Sequence, residues 1–550
     1  MSLKQRLPVS GIIAGLLAGA VGVCVGFLVS GFTGPVGSPL VAVSQLAIDV
    51  SPPPVKDFAI REFGSHDKMV LQIGVVVVLA VFAAFIGVMA RRRESAGLIG
   101  VAIFGAVGLI AAGTRPTATP ADLVPSLVGA AAAAVTLIWL TRAAGPAQSR
   151  QAVRPSPGKP APDTPAPDTP APGEPAPAAT EQAAARPTAR LRVSEPPRRQ
   201  FMTAGAAAAG AAAVAYLGGR FLSENANVAA AVRSLRLPAP EKTAVPVPAG
   251  SDLRIPGLAP FITPNSAFYR VDTAVVVPEI PPSSWHLRVH GMVRRPLVLS
   301  FRDLISRPLT EEYVTLTCVS NPVGGPYISN AKWLGASLGD LLREAGIKPG
   351  ATQLFCTSFD GFTSGTPVQT AMDGRGAMLA VGMNGKPLPT AHGFPVRTVV
   401  PGLYGYVSAC KWITDIEVTT YAANSAYWAQ RGWSPRATIK TESRIDVPNG
   451  SGPLRAGPAK IAGVAWAQHK GIDAVEVRVD RGPWRHATLA AVPGIDTWRQ
   501  WVADWHATPG VHRIEARATD ATGYTQTSLV TPPVPNGATG YPMVTVTVSR

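Results

Sequence analysis

A cysteine at the end of an alternating run is the first residue in this chain whose position suggests chemistry. Val314-Thr315-Leu316-Thr317 alternates apolar with polar, as a short strand does. Cys318 follows directly, and Asn321-Pro322 and Gly324-Gly325 then turn the chain. A thiol there is aimed by a rigid element and exposed by a loop, which suits a ligand or a nucleophile. An inert buried thiol fits the same residues, because free cysteine is among the most buried types. A second polar cluster comes later. His392 and Arg397 lead into a Gly-rich stretch at 399–406, and Ser408, Cys410 and Lys411 come next. Arg397 sits in an apolar, strand-like context, where a guanidinium is costly without an anion. His, Arg and Lys beside Gly-rich backbone suit a bound phosphate. Internal ion pairs account for them equally well.

The elements that must position these residues belong to a chain of 550 residues, long enough for two or three domains. There are four cysteines. Cys24 lies in an apolar run, so at most three remain for a soluble domain and a disulfide scaffold is excluded. Cys356 and Cys410 are open between a disulfide and two buried thiols. No CxxC or HxxxH spacing points to zinc. The net charge of +16 is partly topological, as the basic residues flank apolar runs, and it does not argue for nucleic acid.

The first quarter reads as membrane. Residues 10–31 are uncharged, and 69–90, 97–113 and 123–140 repeat the pattern. A bilayer span needs roughly 20 apolar residues, and these runs show no polar face. Lys4 and Arg6 precede the first run, Arg91-Arg92-Arg93 separate the second from the third, and Arg142 follows the fourth. The positive-inside rule then puts the N-terminus in the cytoplasm. The spans contain neither His nor charge, so residues 1–142 are expected to anchor or dock, not to hold haem or relay protons.

Residues 143–197 form a Pro/Ala-rich linker that should be extended and coreless. Arg198-Arg199 then precedes an Ala/Gly-rich run to 219, which resembles an internal twin-arginine (Tat) export signal. An ordinary fifth span fits the same residues, and both readings put the remainder of the chain outside the cytoplasm. Ala226–Ala231 offers small residues for a cleavage site. Residues 240–440 mix short strand-like segments with a few helical ones such as Leu338–Ala345, giving an α+β domain. Residues 455–550 alternate strictly in several places (Val475 to Asp480, for one) and read as a β-sandwich of immunoglobulin-like type, without a cysteine pair.

TLTCVSN around Cys318, AKWLGASLGDLL at 331–342, SFDGFTSG at 358–365 and MNGKPLPTAHGFPVRTVVPGLYGY at 383–406 together resemble the sulfite oxidase family of molybdopterin enzymes. The likeness covers roughly 250–550. The five spans ahead of it resemble a membrane-anchored actinobacterial type. The resemblance implies a Mo-molybdopterin cofactor with Cys318 as the thiolate on molybdenum. A soft thiolate suits such a metal. It implies further that His392 and Arg397 bind the pterin and its phosphate, and that Ser408 and Lys411 lie in a segment closing over it. Thr357, Asn265, Phe268 and Tyr269 are implied as further cofactor contacts. The sandwich is similar to the family's dimerisation domain, which leaves a homodimer open.

The chain also departs from the pattern. Sulfite oxidases carry arginines just after the cysteine motif, whereas Asn321 here is followed by Pro322-Val323. A pocket depleted of cation should bind sulfite poorly. A sulfoxide-type reductase is therefore an alternative to an oxidase. No CxxCH haem motif is present, so electrons should pass to a separate cytochrome or quinone-linked partner. A non-catalytic, membrane-tethered binding module is the rival from another class.

Overall fold

The computed structural model describes residues 9–34, 37–52, 55, 58, 67–115, 118–144, 197–225, 228–450, 452 and 454–550. The Pro/Ala linker, with Lys4 and Arg6, lies almost wholly outside the described residues. Among the described residues six helices come first: α1 (Val9–Thr33), α2 (Pro39–Val50), α3 (Asp67–Arg92), α4 (Glu94–Gly113), α5 (Pro120–Ala143) and α6 (Pro197–Asn225). All but α2 are long and apolar enough to cross a membrane. Each extends a few residues beyond the corresponding apolar run into polar flanks. Helix α2 was not expected, because its apolar content is too short to read as a span.

Small residues let the long helices approach closely. A Cβ on Gly15 would fall 2.0 Å from the Ala83 carbonyl oxygen, and one on Gly87 2.0 Å from that of Gly11. On the other side of α1, Cβ atoms on Gly22 and Gly129 would fall 2.8 and 2.6 Å from each other's carbonyl oxygens. Helix α1 therefore meets α3 and α5 backbone to backbone. In lipid, where apolar surface alone gives no drive to associate, such contacts supply it.

After α7 (Val228–Ser234) the chain becomes mostly strand. The first sheet runs β2-β1-β10-β5-β6, from β1 (His286–Gly291), β2 (Leu297–Ser300), β5 (Gln353–Ser358), β6 (Thr363–Pro367) and β10 (Ile413–Thr419). The second runs β3-β4-β7-β8, with β9 on β7. Its members are β3 (Leu309–Thr317), β4 (Ile328–Ser337), β7 (Met378–Met383), β8 (Lys386–Pro387) and β9 (Arg397–Val399). Strand β7 is buried at every position, which explains its continuous apolar reading. Helix α8 (Leu338–Ala345) is cut at both ends by local chemistry. Ser337 Oγ accepts from Asp340 N at 3.1 Å, and Gly346 leaves at φ 70°.

The C-terminal sandwich stacks β11-β13-β17-β16 on β12-β19-β18-β14-β15. These are β11 (Glu442–Val447), β12 (Leu454–Arg455), β13 (Gly457–Trp466), β14 (Ile472–Val479), β15 (Arg485–His486), β16 (Thr488–Leu489), β17 (Arg499–Ala507), β18 (Gly510–Asp520) and β19 (Met543–Ser549). Ile461, Val475, Trp501, Ile514 and Val546 fill the space between the sheets. The sandwich begins before the expected residue 455. Strand β11 pairs with β13 from Glu442 onward, and the Pro/Gly turn after Val447 reads as a boundary although the sheet continues across it.

The sandwich and the α+β domain share one core. Val464, Trp466 and Trp498 pack with Leu309, Ile328 and Val400 in a single cluster. Trp498 also donates its indole N–H to the Phe261 carbonyl at 2.9 Å, and its backbone N–H to Thr315 Oγ1 at 2.7 Å. Trp498→Ala is therefore expected to cost about 3–5 kcal/mol and to loosen the strand that carries Cys318. The denaturation midpoint of the full chain in detergent measures it. A shift confined to the sandwich would contradict the shared core.

Candidate functional site

Strand β3 delivers Cys318. Its edge is held by the sandwich, where Thr315 N donates to Asp496 O at 2.9 Å and Gln468 Nε2 donates to Thr315 O and Thr317 Oγ1, each at 3.0 Å. After the strand the loop closes on itself. Cys318 N donates to Tyr327 O at 3.0 Å, and Asn321 Oδ1 accepts from Tyr327 N at 2.8 Å. The thiol is half-buried and lies 2.9 Å from Ser320 Oγ. Burial pushes its pKa up, while Ser320 and the Lys411 ammonium pull it back. The charge on Lys411 is thus felt at the sulfur.

Arg397 opens β9 and is 5% exposed. Its guanidinium reaches only carbonyls: His392 O at 3.2 Å, Ala409 O at 3.4 Å and Thr398 O at 3.4 Å. It also lies 5.0 Å from the Trp333 ring centroid. No carboxylate pairs with it among the described residues. Desolvation lowers its pKa to about 10, so it keeps its charge at neutral pH. A buried cation held this way is under-compensated.

His392 closes a short 3₁₀ turn, and Gly393 beyond it adopts φ 107°. The imidazole is buried, edge-on to Phe268, with Nε2 3.0 Å from Asn265 O. A carbonyl accepts only, so Nε2 carries the proton and Nδ1 is left as an acceptor. Burial first, and then Arg397, lower the pKa to about 4. His392 is therefore neutral at physiological pH. Its unfolded value lies near 6.5, so the folded protein resists protonation and stability is lost as pH falls from about 6.5 towards about 4. His392→Gln is expected to remove up to about 3 kcal/mol of that pH dependence, as measured by denaturant unfolding at pH 7 and pH 4.5.

Lys411 follows the buried Cys410. Its ammonium lies 2.7 Å from Asp272 Oδ2 and 4.8 Å from the Trp412 ring centroid. Burial lowers its pKa to about 8, with Asp272 opposing. Tyr269 and Tyr406 complete the surroundings. Burial raises both phenols, and each also responds electrostatically to Cys318. Gly405 lies between them and the end of β3, where a Cβ would make ordinary contact 3.6 Å from Tyr269 Oη and 3.7 Å from Thr317 O.

The structure thus brings Cys318, Tyr269, His392, Arg397 and Lys411 into one neighbourhood. Other expected contacts are used differently. Phe268 is 5% exposed and packs among Trp333, Tyr269 and His392. Asn265 directs its side chain to Met383 O and Asn384, and supports His392 through its backbone. Ser408 is fully buried, and its hydroxyl donates to Leu403 O and Tyr404 O at 3.0 and 3.1 Å. Thr357 lies on the face of β5 opposite buried Cys356 and Ser358, and no hydrogen bond joins it to Cys318 among the described residues. Cys356 and Cys410 are both free buried thiols. Asp360 makes a turn, accepting from Phe362 N at 3.3 Å ahead of Gly361 at φ 87°.

Sequence reasoning missed Asp272, which gathers Lys411, Arg270 at 2.8 Å and Lys68. The available signal was an acidic residue two positions after Arg270 and three after Tyr269.

The neighbourhood fits a metal-bearing organic cofactor with an anionic tail: a thiol, a neutral imidazole, and a buried guanidinium that lacks a carboxylate. Among the described residues the buried Nδ2 of Asn321 also has no partner, as is common where a site receives a ligand. The family described as oxidoreductase molybdopterin binding domain matches residues 274–428. The sulfite oxidase of Gallus gallus is 32% identical over 325 residues, covering 50% of this chain and 69% of that protein. The uncharacterized oxidoreductase YuiH of Bacillus subtilis is 32% identical over 154 residues, covering 28% of this chain and 74% of its own. Among solved structures, the sulfane dehydrogenase SoxCD of Paracoccus pantotrophus is 26% identical, with 49% of this chain and 75% of that one covered and a TM-score of 0.44. The chain belongs to the sulfite oxidase family of molybdenum-dependent oxidoreductases, and Mo-molybdopterin is its cofactor. It spans about half the length of the mammalian sulfite oxidases it matches, 49% for the rat and human proteins.

Proposed function

We propose that this chain is a membrane-anchored oxidoreductase that transfers an oxygen atom, with two electrons, to or from a small molecule outside the cytoplasm. The observation that carries the reading is the convergence of Cys318, neutral His392 and uncompensated Arg397 at the mouth of β3. The cofactor, when bound, supplies the metal that exchanges oxygen and electrons. The chain supplies the rest. Cys318 would hold the metal as a thiolate. Arg397 would bind a phosphate with its rigid fork, and His392 would accept a hydrogen bond at Nδ1. Lys411 and Tyr269 would set charge and orientation beside the sulfur.

The loop after Cys318 favours an organic oxide over an inorganic dianion as substrate. Ser320, Asn321, Pro322 and Val323 follow the thiol without a cation, and the nearby Lys411 ammonium is already engaged by Asp272. A sulfoxide-type reductase is the second reading on that ground. In this proposal the 198–219 segment acts as a Tat-like fifth span, a separate cytochrome or quinone-linked protein exchanges the electrons, and the sandwich is immunoglobulin-like.

The full chain purified in detergent from cofactor-competent cells is expected to carry one molybdenum per chain by metal analysis. Optical reoxidation of the reduced centre by a panel of S-oxides and N-oxides, set against reduction by sulfite, separates the two directions. A metal-free wild type ends the reading and leaves a tethered binding module. For sidedness, Arg198-Arg199→Lys-Lys is expected to leave the first four spans inserted and to strand the catalytic part inside. Protease protection in spheroplasts reads it, and an unchanged outside location overturns the Tat route.

A further inference from the structure

Among the described residues, helix α3 brings a charged side chain to the carboxylate that holds Lys411. Lys68 stands on the first turn of α3, 204 residues from its partner in sequence. Its ammonium pairs with Asp272 Oδ1 and donates to the Ala274 carbonyl at 2.8 Å. The side chain of Asp272 is 4% exposed, and its second oxygen takes Lys411 at 2.7 Å and Arg270 at 2.8 Å. Three cations therefore share one buried carboxylate. Burial pushes that carboxyl up, and Lys411, Lys68 and Arg270 overcome it and hold it well below the usual range.

The three cations are not equivalent. Arg270 is 40% exposed at its side chain and can trade the carboxylate for water. Lys68 and Lys411 are 23% and 11% exposed, so both are committed. Lys68 is also mounted on a helix of 26 residues, a far stiffer support than a loop. Through Asp272 and Ala274 it pins the segment that succeeds Asn265–Tyr269. Asn265 in turn holds His392 by its carbonyl. Neighbouring contacts reinforce the same junction. Tyr427 Oη lies 3.3 Å from Asp49 on α2, and Thr273 Oγ1 lies 3.4 Å from Asp360. Val41, Ala42 and Gln45 of α2 line a recess with Ala274 and Asp360.

We propose that Lys68 is a positioning residue of the cofactor pocket: through Asp272 it fixes Lys411 and the 270–274 segment, so the helical bundle completes the site as well as anchoring it. The inference rests on the reading of Cys318, His392, Arg397 and Lys411 as one cofactor pocket. An exposed ion pair would contribute little. A buried one cannot lose a partner without leaving charge uncompensated. Because Lys411 and Arg270 remain, the effect of removing Lys68 is moderate and local.

Lys68→Met and Lys68→Gln, in the full chain in detergent, test it by two readouts. In cofactor-free protein, amide exchange at 270–274 and 410–412 is expected to accelerate about tenfold, with the sandwich unchanged. In loaded protein, the Mo(V) electron paramagnetic resonance spectrum is expected to shift. Lys68→Arg should restore both, and Lys68→Met should add nothing to Asp272→Asn. The Gln variant keeps the side chain polar should the Met variant fail to insert. Wild-type exchange and spectrum in both neutral variants overturn the inference even if the wild type carries molybdenum. Accelerated exchange in a chain that never binds molybdenum supports the positioning role and overturns the proposed function instead.

Discussion

Cys318→Ser is expected to reduce turnover by at least about a thousandfold and to strip or displace the metal, while changing stability by no more than about 1 kcal/mol. The two expectations differ because the residue has two separable roles. As a packing group, Cys318 is half-buried at a strand end, and a hydroxyl of nearly the same size can hydrogen-bond with Ser320 Oγ as the thiol does. As a ligand, serine offers a hard oxygen where a soft sulfur is wanted. It is also far harder to ionise than the thiol, whose pKa already lies above the ordinary value because burial outweighs Ser320 and Lys411. Metal content by mass spectrometry, turnover and the melting temperature, taken on one preparation, check it. Full activity in a folded Cys318→Ser protein would remove the cysteine from the site.

Arg397→Met is expected to act with opposite signs in the two states of the protein. Without cofactor, the guanidinium suffers desolvation and receives only three carbonyl contacts of 3.2–3.4 Å. An apolar side chain of similar length is then expected to be neutral or to stabilise by about 1–3 kcal/mol. With cofactor, the same substitution leaves a phosphate without its partner. A truncated buried charge pair costs about 2–5 kcal/mol, so retention should fall by roughly thirty-fold to several thousand-fold. Arg397→Lys keeps the charge but loses the fork and should fall between the two. Unfolding of cofactor-free and loaded protein gives both signs directly. Destabilisation in both states would mean that Arg397 serves the fold alone.

Much of this architecture could be read locally. Apolar runs of membrane length announced α1, α3, α4, α5 and α6, because a span must satisfy its own backbone and exclude charge over a continuous stretch. Alternation at Val314–Thr317 announced the end of β3 and placed Cys318 on the turn after it. The costly Arg397 in apolar surroundings left a bound phosphate and an internal ion pair equally open, and among the described residues no carboxylate pairs with it. Each of these signals needs only a few neighbouring residues.

What the chain does with its remaining polar groups depended on folding. The Ser408 hydroxyl bonds the carbonyls of Leu403 and Tyr404, and Thr357 takes the face of β5 opposite Cys356 and Ser358, directions that backbone geometry sets and composition does not. Cys356 and Cys410 are separate buried thiols, each near a backbone carbonyl of its own stretch. Neighbouring residues alone were enough for the long apolar helices, the strand that presents Cys318, and the types of residue the pocket can use. Only the tertiary structure decided that Asp272 joins Lys411 to Lys68 on α3. Periodicity and propensity act over one or two turns of chain, whereas a buried carboxylate takes whichever cations packing delivers to it, however distant they are in sequence.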